Sequence, residues 1–233
     1  MKINSFLCRN NSFSKLTFSF IFSATFSVGF IPSSIAETKI ESQVKLSGQT
    51  HNIKADLMAK LSQIQYINAE FSQTVVSDLG ETLQKGKGTI AISKPDLVNW
   101  HTTEPDETLI VSNGKNLWFY DPFIEQVSIY SFVKSIANTP VLLLTSEDPS
   151  LWNNFQVSQN KEGQYLIKSL TVDSQIKSLT LTFENEKISQ LSILDSTGQI
   201  SHIHLLNIDF TTKPDNSLFD FVIPEGVMLD DQR

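Results

Sequence analysis

Apolar positions along the chain change from a helical spacing to an alternating one after residue 65. Between residues 52 and 65 they recur at intervals of three and four, which predicts one amphipathic helix with a narrow apolar face: Ile53, Leu57, Leu61 and Ile64. From residue 67 onward, apolar and polar residues alternate, so that Ile67, Ala69, Phe71 and Val75 share one face. Turn residues such as Asn113-Gly114 separate these runs at hairpin spacing. The pattern predicts about ten short antiparallel strands.

The alternation stops between residues 131 and 153. An apolar run, VLLLT, follows Thr139-Pro140, and a second proline follows Asp148. Threonine and aspartate before proline are typical helix N-caps, so this stretch predicts two or three short helices. Strands resume at about residue 154 and continue to 210, and a short strand with Phe219 and Phe221 is expected in the tail.

Consecutive hairpins favour a single antiparallel sheet, and a sheet of this length curls toward a barrel. We therefore predict a mainly β protein with a helical lid, an incomplete antiparallel β-barrel covered by short helices. Residues 51–233 form one domain in this interpretation, with the lid inserted at about 131–153. Residues 37–50 are polar and lack periodicity, which predicts a flexible N-terminal arm.

The first 36 residues have the organisation of a cleavable secretory signal peptide. Lys2, Arg9 and Lys15 precede an uncharged run from Leu16 to Ile31, and small residues at Ser34 and Ala36 form a cleavage pattern. That run is shorter than the roughly 20 residues of a membrane-spanning helix. Removal of the segment is therefore favoured over the alternative of a retained anchor helix, and we predict export to the periplasm without stable membrane insertion. Cys8 lies before the apolar run, and no cysteine follows residue 36, so disulfides and a thiol nucleophile are not expected in the mature chain.

The charge balance excludes nucleic acid as a main partner. Beyond residue 36 the chain carries 15 basic and 25 acidic residues, and the basic ones do not cluster. The sequence contains no phosphate-binding loop, nucleophile elbow or zinc-protease motif. His202 and His204 share a strand face but have no third ligand nearby in sequence, so we interpret them as solvent-facing. No catalytic residue, metal or cofactor is therefore predicted, and the protein is expected not to be an enzyme.

Apolar and aromatic residues are concentrated on strand faces in the first half of the chain. Pairs at i and i+2 share a face within their strand: Val98 and Trp100, Leu109 and Val111, Trp118 and Tyr120. One interpretation is an ordinary core beneath a covering helix. The other is an apolar cavity for a greasy ligand, which would explain why the chain supplies both a front helix and an apolar helical insertion.

Two segments carry a resemblance to a known family. The stretch from Lys94 to Val127, KPDLVNWHTTEPDETLIVSNGKNLWFYDPFIEQV, and the ending PEGVMLDDQR closely resemble the outer-membrane lipoprotein carrier family, LolA. Intervening segments match in order and length, so that the resemblance covers about residues 51–233.

The resemblance implies a periplasmic chaperone that shields the acyl chains of a lipoprotein in an apolar cavity. The inner-membrane ABC transporter LolCDE would supply the cargo, the outer-membrane receptor LolB would accept it, and the carrier is expected to be a monomer. The alternative within the same fold is a lipid- or lipoprotein-binding sensor domain that does not shuttle cargo. An enzyme acting on envelope lipid is disfavoured because the chain lacks a recognisable nucleophile or metal set.

The resemblance also suggests a site. We expect the acyl-chain cavity to be lined by Phe71, Val98, Trp100, Leu109, Val111, Trp118 and Tyr120, and its lid to consist of Val141, Leu142, Leu143 and Leu144. In the family, an arginine before the proline of the strand motif holds the lid shut when the carrier is empty; Lys94 takes its place here. Lysine keeps the charge and loses the planar fork of donors. Val98 stands where the family pattern has phenylalanine.

Overall fold

The computed structural model describes residues 52–136 and 140–233 of the 233-residue chain. The predicted signal peptide, 1–36, and the predicted arm, 37–50, lie outside the described residues. The α-helices are α1 (Ile53–Ser62) and α2 (Phe132–Ile136), and three short 3-10 helices cover Pro140–Leu144, Pro149–Asn154 and Asn216–Phe219. The strands are β1 (Tyr66–Val76), β2 (Thr82–Ser93), β3 (Leu97–Glu104), β4 (Thr108–Asn113), β5 (Asn116–Asp121), β6 (Gln126–Ser131), β7 (Phe155–Gln159), β8 (Tyr165–Ser169), β9 (Ile176–Glu184), β10 (Lys187–Asp195), β11 (Ile200–Asp209) and β12 (Met228–Asp231).

All twelve of these strands form one sheet. Their order is β12-β6-β5-β4-β3-β2-β1-β11-β10-β9-β8-β7, so that β1 joins two runs of consecutive hairpins. Every pairing is antiparallel except that of β12 with β6. β7 and β12 end the sheet without pairing with each other, so the curled sheet stays open. The predicted fold class, an incomplete antiparallel barrel with short helices, is confirmed.

α1 forms where the helical spacing of apolar residues predicts it. The Asn52 side chain accepts a hydrogen bond from the backbone N–H of Ala55 at 3.1 Å, which satisfies one of the donors that a helix start leaves open. Leu57 and Leu61 are the buried residues of the helix. Polar contacts fix its outer side, because Lys60 pairs with Glu186 and the Tyr165 hydroxyl donates to Asp56. α1 is therefore tied to strands β8 to β10 along its length.

The break in alternation after residue 131 coincides with the short helices between β6 and β7. We call Pro140–Leu144 the lid segment. It contacts α2 and β9, and Leu142, Leu143 and Leu144 are each at most 3% exposed. The next short helix begins after Asp148, whose side chain accepts from the Ser150 N–H at 2.8 Å, and it buries Trp152. The N-cap and proline signals at Asp148-Pro149 therefore have the predicted effect.

The tail differs from the prediction. Phe219 belongs to a short 3-10 helix, and Phe221 follows it outside any strand. The last strand is β12, which begins at Met228. Asp215 accepts from the Ser217 N–H at 2.8 Å, so an N-cap sets the local structure here instead of the alternation of Phe219 and Phe221.

Candidate functional site

The inner face of the curled sheet can be read from the strand register. Directly opposite residues in an antiparallel ladder point to the same face. Trp100 of β3 lies opposite Ile90 of β2 and Ile110 of β4, and Val98 lies opposite Ile92 and Ser112. The apolar residues at these positions belong to the large apolar cluster that also contains residues of α1 and of the lid segment, which we call the inner cluster. The lid therefore closes over the face that carries Val98 and Trp100.

An aromatic pair lies at the centre of this face. The rings of Phe71 and Trp100 are 5.0 Å apart at their centroids and tilted by 49°. Phe71 lies opposite Gly88, where a Cβ atom would come within 2.8 Å of the Phe71 ring. Gly88 also lies at a register shift between β2 and β3, where Thr103 of β3 has no direct partner. Glycine at this position gives the Phe71 ring room to lie over β2.

The lid leucines fill the space inside the sheet. Leu142, Leu143 and Leu144 pack in one cluster with Phe71 and Val98, and Val141 is half-buried beside them. The other large members of this cluster come from helices and from strands in both halves of the sheet: Leu57, Leu61, Ile90, Ile92, Trp152, Ile167, Leu179, Leu181 and Ile203. The side chains of the lid segment therefore take up space on the inner face of the sheet.

A cavity of about 240 Å³ remains between α1, the lid segment and the turn from β2 to β3. Its apolar wall includes Leu61, Leu143 and Trp152, and its polar wall includes Lys94 and Glu147. This volume is below the roughly 300–1,000 Å³ of pockets that enclose drug-sized ligands. An apolar ligand larger than this volume would fit only if lid side chains moved out.

Lys94 lies in this cavity, half-buried, and bonds to α1. Its Nζ donates to the backbone oxygen of Leu61 at 2.5 Å, which satisfies a carbonyl at the last turn of the helix. Burial lowers the pKa of the Lys94 ammonium, and the Glu147 carboxylate raises it by a smaller amount. The hydrogen bond thus ties α1, not residues 141–144, to the sheet, and Glu147 provides an electrostatic link to the residues after the lid. The predicted role of Lys94 as a lid latch stays a prediction.

Asp96 holds the C-terminal end of the lid. Its backbone N–H donates to the Thr145 oxygen at 3.0 Å, and the Thr145 hydroxyl donates to Leu142 at 2.8 Å. Burial raises the pKa of Asp96; a hydrogen bond with the Ser146 side chain lowers it, and Glu147 and Asp148 raise it further. Asp96 has φ of 63°, a backbone conformation that aspartate and asparagine tolerate better than most residues. The turn before β3 is therefore the attachment point of the lid.

Four of the seven predicted cavity residues lie on the opposite face of the sheet. Leu109 is opposite His101 and Tyr120, and Val111 is opposite Asn99 and Trp118, so none of them shares a face with Val98 or Trp100. With the C-terminal segment they form a separate set, the outer cluster: Leu109, Val111, Trp118, Tyr120, Val127, Ile129, Phe221 and Val227. The expectation that Leu109, Val111, Trp118 and Tyr120 lie beneath the lid is wrong. Each pair shares a face within its strand as predicted, but the register between β3 and β4 turns these pairs outward.

Sequence reasoning also missed residues that belong to the inner face. Ile90 and Ile92 share a face within β2, and that signal could have marked them as core residues, but only the register places them beside Val98 and Trp100. Thr145 and Asp96 gave no such signal, because their role depends on a backbone contact across the lid. Within the described residues, no group of three His, Cys, Asp or Glu side chains could hold a metal ion. None of the described helices is both long enough and apolar enough to span a membrane.

Comparison with known proteins now identifies the family. The model of the outer membrane lipoprotein carrier protein LolA matches residues 62–222. The outer-membrane lipoprotein carrier protein of Aeromonas salmonicida is 39% identical over 183 residues, covering 77% of this chain and 89% of that protein. This chain belongs to the LolA family. A second LolA-family relative, the outer-membrane lipoprotein carrier protein of Photorhabdus laumondii, is 37% identical over 183 residues, covering 78% of this chain and 89% of its own.

Among solved structures, a LolA superfamily protein from Nitrosomonas europaea superposes on 72% of this chain and 97% of its own length. The TM-score is 0.45 and the sequence identity is 9%. The assignment to the LolA family therefore depends on the sequence matches, which include the strand motif from Lys94 to Val127 and both faces of the sheet described above.

Proposed function

We propose that this protein is a periplasmic lipoprotein carrier. It accepts lipoproteins that leave the inner membrane, encloses their acyl chains between the sheet and the lid, and delivers them to an outer-membrane receptor. The family supports this role, and residues 1–36 support export. Such a role requires only binding and release of the lipoprotein, so the proposal contains no catalytic step.

The observation that carries the proposal is the burial of three consecutive lid leucines inside the curled sheet. A lipoprotein carries acyl chains whose transfer out of water gains about 0.8 kcal/mol for each CH₂ group. Crossing an aqueous compartment therefore requires an apolar enclosure. The lid leucines supply the same apolar contacts while the carrier is empty, and they protect the inner face from water until cargo replaces them.

A lid of this kind also explains release without an energy source. Cargo must displace the leucines, so its net affinity is lower than that of an empty preformed pocket by the free energy of lid opening. A receptor that needs no such opening can bind the same acyl chains more tightly. We propose that LolCDE loads the carrier and that LolB unloads it, as the family resemblance implies.

The direct experiment is transfer between membranes. Purified protein is incubated with inner-membrane vesicles that contain LolCDE, ATP and a tagged lipoprotein, and the soluble fraction is assayed for a complex with that lipoprotein. We expect a soluble complex that gives up its cargo to LolB. If the lipoprotein stays in the vesicles while an authentic LolA releases it, the proposal is wrong.

A further inference from the structure

The two free edges of the sheet are protected to different degrees. β12 has four residues, and two of them, Asp230 and Asp231, are charged. β7 has five residues, FQVSQ, and none of them is charged. Charged side chains and short length are the usual means by which natural sheets prevent a further strand from pairing at an edge. Among the described strands, β7 pairs only with β8, so its outer edge has the properties of a strand-binding surface.

The register shows which backbone groups of β7 face outward. The N–H of Leu170 donates to Asn154, and the N–H of Asn160 donates to Gln164, so these pairs belong to the hydrogen-bonded type. In an antiparallel ladder that type recurs at every second residue, which makes Gln156 and Ser158 the residues bonded to β8. The backbone groups of Phe155, Val157 and Gln159 therefore point away from β8; the Phe155 N–H donates to the Trp152 oxygen, which leaves the N–H groups of Val157 and Gln159 for a further strand.

An open groove of about 800 Å³ lies along this strand. One wall is the start of α1 and the other is formed by the edge strand and the end of β8; the lining residues are Asn52, Ile53, Lys54, Asn153, Phe155, Gln156, Val157 and Leu170. Leu170 is 59% exposed. The groove thus combines outward-facing backbone groups with apolar side-chain surface, the two elements with which proteins bind an extended peptide.

The groove and the cavity beneath the lid are formed by the same two parts of the chain, α1 and the short helix Pro149–Asn154. Trp152 lines the lid cavity, and the next residue, Asn153, lines the groove. The Lys54 ammonium, at the groove, donates to the Trp152 carbonyl at 2.6 Å. α1 likewise contributes Ile53 to the groove and Leu61 to the cavity. A ligand with an apolar end in the cavity and an extended polar end in the groove would therefore contact α1 and the Trp152-Asn153 segment in both sites, on either side of the Lys54–Trp152 hydrogen bond.

We propose that the outer edge of β7 binds the polypeptide segment that directly follows the lipid-bearing residue of the cargo, as an added strand. This inference depends on the proposed function, since it takes the acyl chains beneath the lid as its starting point. A lipoprotein is the ligand that has an apolar end joined to an extended peptide. Main-chain hydrogen bonds do not depend on the identity of the side chains, so this edge could bind cargo proteins of unrelated sequence.

The test compares two synthetic probes. One is a diacylglyceryl-cysteine amide, and the other carries the same lipidated cysteine followed by a short peptide of serine, alanine and asparagine. We expect the peptide to increase affinity by about tenfold, the gain expected from one or two net hydrogen bonds. Backbone N-methylation of alternate peptide residues should remove this gain and leave the lipid contribution unchanged.

Val157→Pro provides the matched test on the protein. The Val157 N–H points outward, so proline at this position removes a donor from the edge without breaking a bond to β8. Val157→Ala keeps the N–H and serves as the control for lost side-chain packing. We expect Val157→Pro to bind the peptide-bearing probe no better than the lipid amide, and Val157→Ala to retain the tenfold difference; melting curves establish that both variants are folded.

Several results would overturn the inference. Equal affinity of wild type for the two probes, or an undiminished difference in Val157→Pro, would exclude cargo binding at this edge. A concentration-dependent dimer that Val157→Pro dissociates would assign the edge to a second copy of the chain. If the peptide-bearing probe binds more tightly than the lipid amide only after deletion of residues 37–51, the edge would be assigned to the chain's own N-terminal segment. Failure of both probes to bind would instead refute the proposed carrier function itself.

Discussion

At the scale of single residues, the turn between β2 and β3 gathers the polar groups that hold α1 and the lid. Lys94 bonds to the last turn of α1, and Asp96 bonds to the residue that follows the lid segment. Both side chains are partly removed from water, and burial shifts the pKa of each toward its neutral form. Burial of their charges therefore destabilises the closed arrangement, whereas their hydrogen bonds to α1 and Thr145 stabilise it.

Asp96→Asn should make the protein more stable at neutral pH. The pKa of Asp96 is raised above its unfolded value of 3.8, so the folded state binds the proton more tightly and the free energy of unfolding falls as pH rises through this range. Asparagine removes the charge and tolerates the positive φ. We expect a gain of less than about 1 kcal/mol at neutral pH that disappears below pH 3.8, measured by urea unfolding at several pH values.

Asp215 offers a control of opposite sign. Hydrogen bonds from Ser217 lower the pKa of Asp215, so its stabilising contribution is present above the unfolded pKa and is lost as pH falls. Asp215→Asn should therefore destabilise the protein at neutral pH. A stability difference for Asp96→Asn that does not vary with pH would contradict the assignment of a buried charge at residue 96.

Lys94→Leu should slow hand-off of cargo more than loading. The substitution removes the hydrogen bond to the Leu61 oxygen, so the closed arrangement of α1 is less favoured and cargo leaves a more open carrier less readily. Lys94→Arg keeps the charge and donors and should transfer cargo at close to the wild-type rate. Rates of lipoprotein uptake and of transfer to the receptor measure the two steps. Equal slowing of both steps would exclude a latch function.

At the scale of elements, the lid segment is both part of the core and the part that must leave it. Its three buried leucines contact the inner cluster. Its C-terminal end is tied down through Thr145 and Asp96. α1 has polar contacts to four other parts of the chain, through Lys54, Asp56, Lys60 and the Leu61 oxygen. Among the described residues, the lid segment is thus held by fewer polar contacts than α1 is.

Leu143→Glu should abolish binding of acyl chains. A carboxylate in the place of a side chain that is 1% exposed would be excluded from the inner cluster, and an open lid bearing a charge cannot cover apolar ligand. Val133→Glu, at a position of α2 that is 64% exposed, adds the same charge near the lid and should change binding by less than about twofold. Displacement of a fluorescent fatty acid measures both. Full binding by Leu143→Glu would mean that residues 141–144 do not cover the site.

The elements could be predicted from sequence more reliably than their faces. Alternation and turn residues placed the strands, the spacing of apolar residues placed α1, and the Asp148-Pro149 signal placed the start of a short helix; Thr139, the other predicted N-cap, lies outside the described residues. The period within a strand also paired Trp118 with Tyr120 correctly. What it could not supply is the register between neighbouring strands, because a shift of one residue moves a whole strand from one face to the other. Of the predicted cavity residues, Phe71, Val98 and Trp100 therefore lie on the inner face, and the four residues of β4 and β5 lie on the outer face. Contact of the first three with an acyl chain stays a prediction.

At the scale of the whole molecule, the sheet has two apolar faces with separate partners. The inner cluster packs beneath the lid, and the outer cluster packs beneath the C-terminal segment, where the Phe221 ring lies 5.9 Å from both Trp118 and Tyr120. The aromatic residues that suggested a cavity are thus divided between packing beneath the lid and packing beneath the C-terminal segment. Only the inner face is available for a ligand that enters past the lid.

Phe221→Ala should loosen the C-terminal segment and leave lipid binding intact. Removal of a half-buried ring costs about 1–3 kcal/mol, less than a fully buried phenylalanine. We expect faster proteolysis after residue 214, a lower melting temperature and an unchanged affinity for a lipopeptide. Trp100→Ala, on the inner face, should lower that affinity. Loss of lipid binding in Phe221→Ala alone would place the ligand on the outer face.

The pairing of β1 with β11 has a consequence for how the chain reaches this fold. Phe71 is the partner of Leu205, so the central seam of the sheet joins residues from opposite ends of the domain. Each run of hairpins can assemble from neighbouring segments, but the seam needs both β1 and β11, and pairings between distant segments form slowly. Until the seam forms, the side of β1 that faces β11 is an unpaired strand edge, and the partly folded chain is exposed to aggregation.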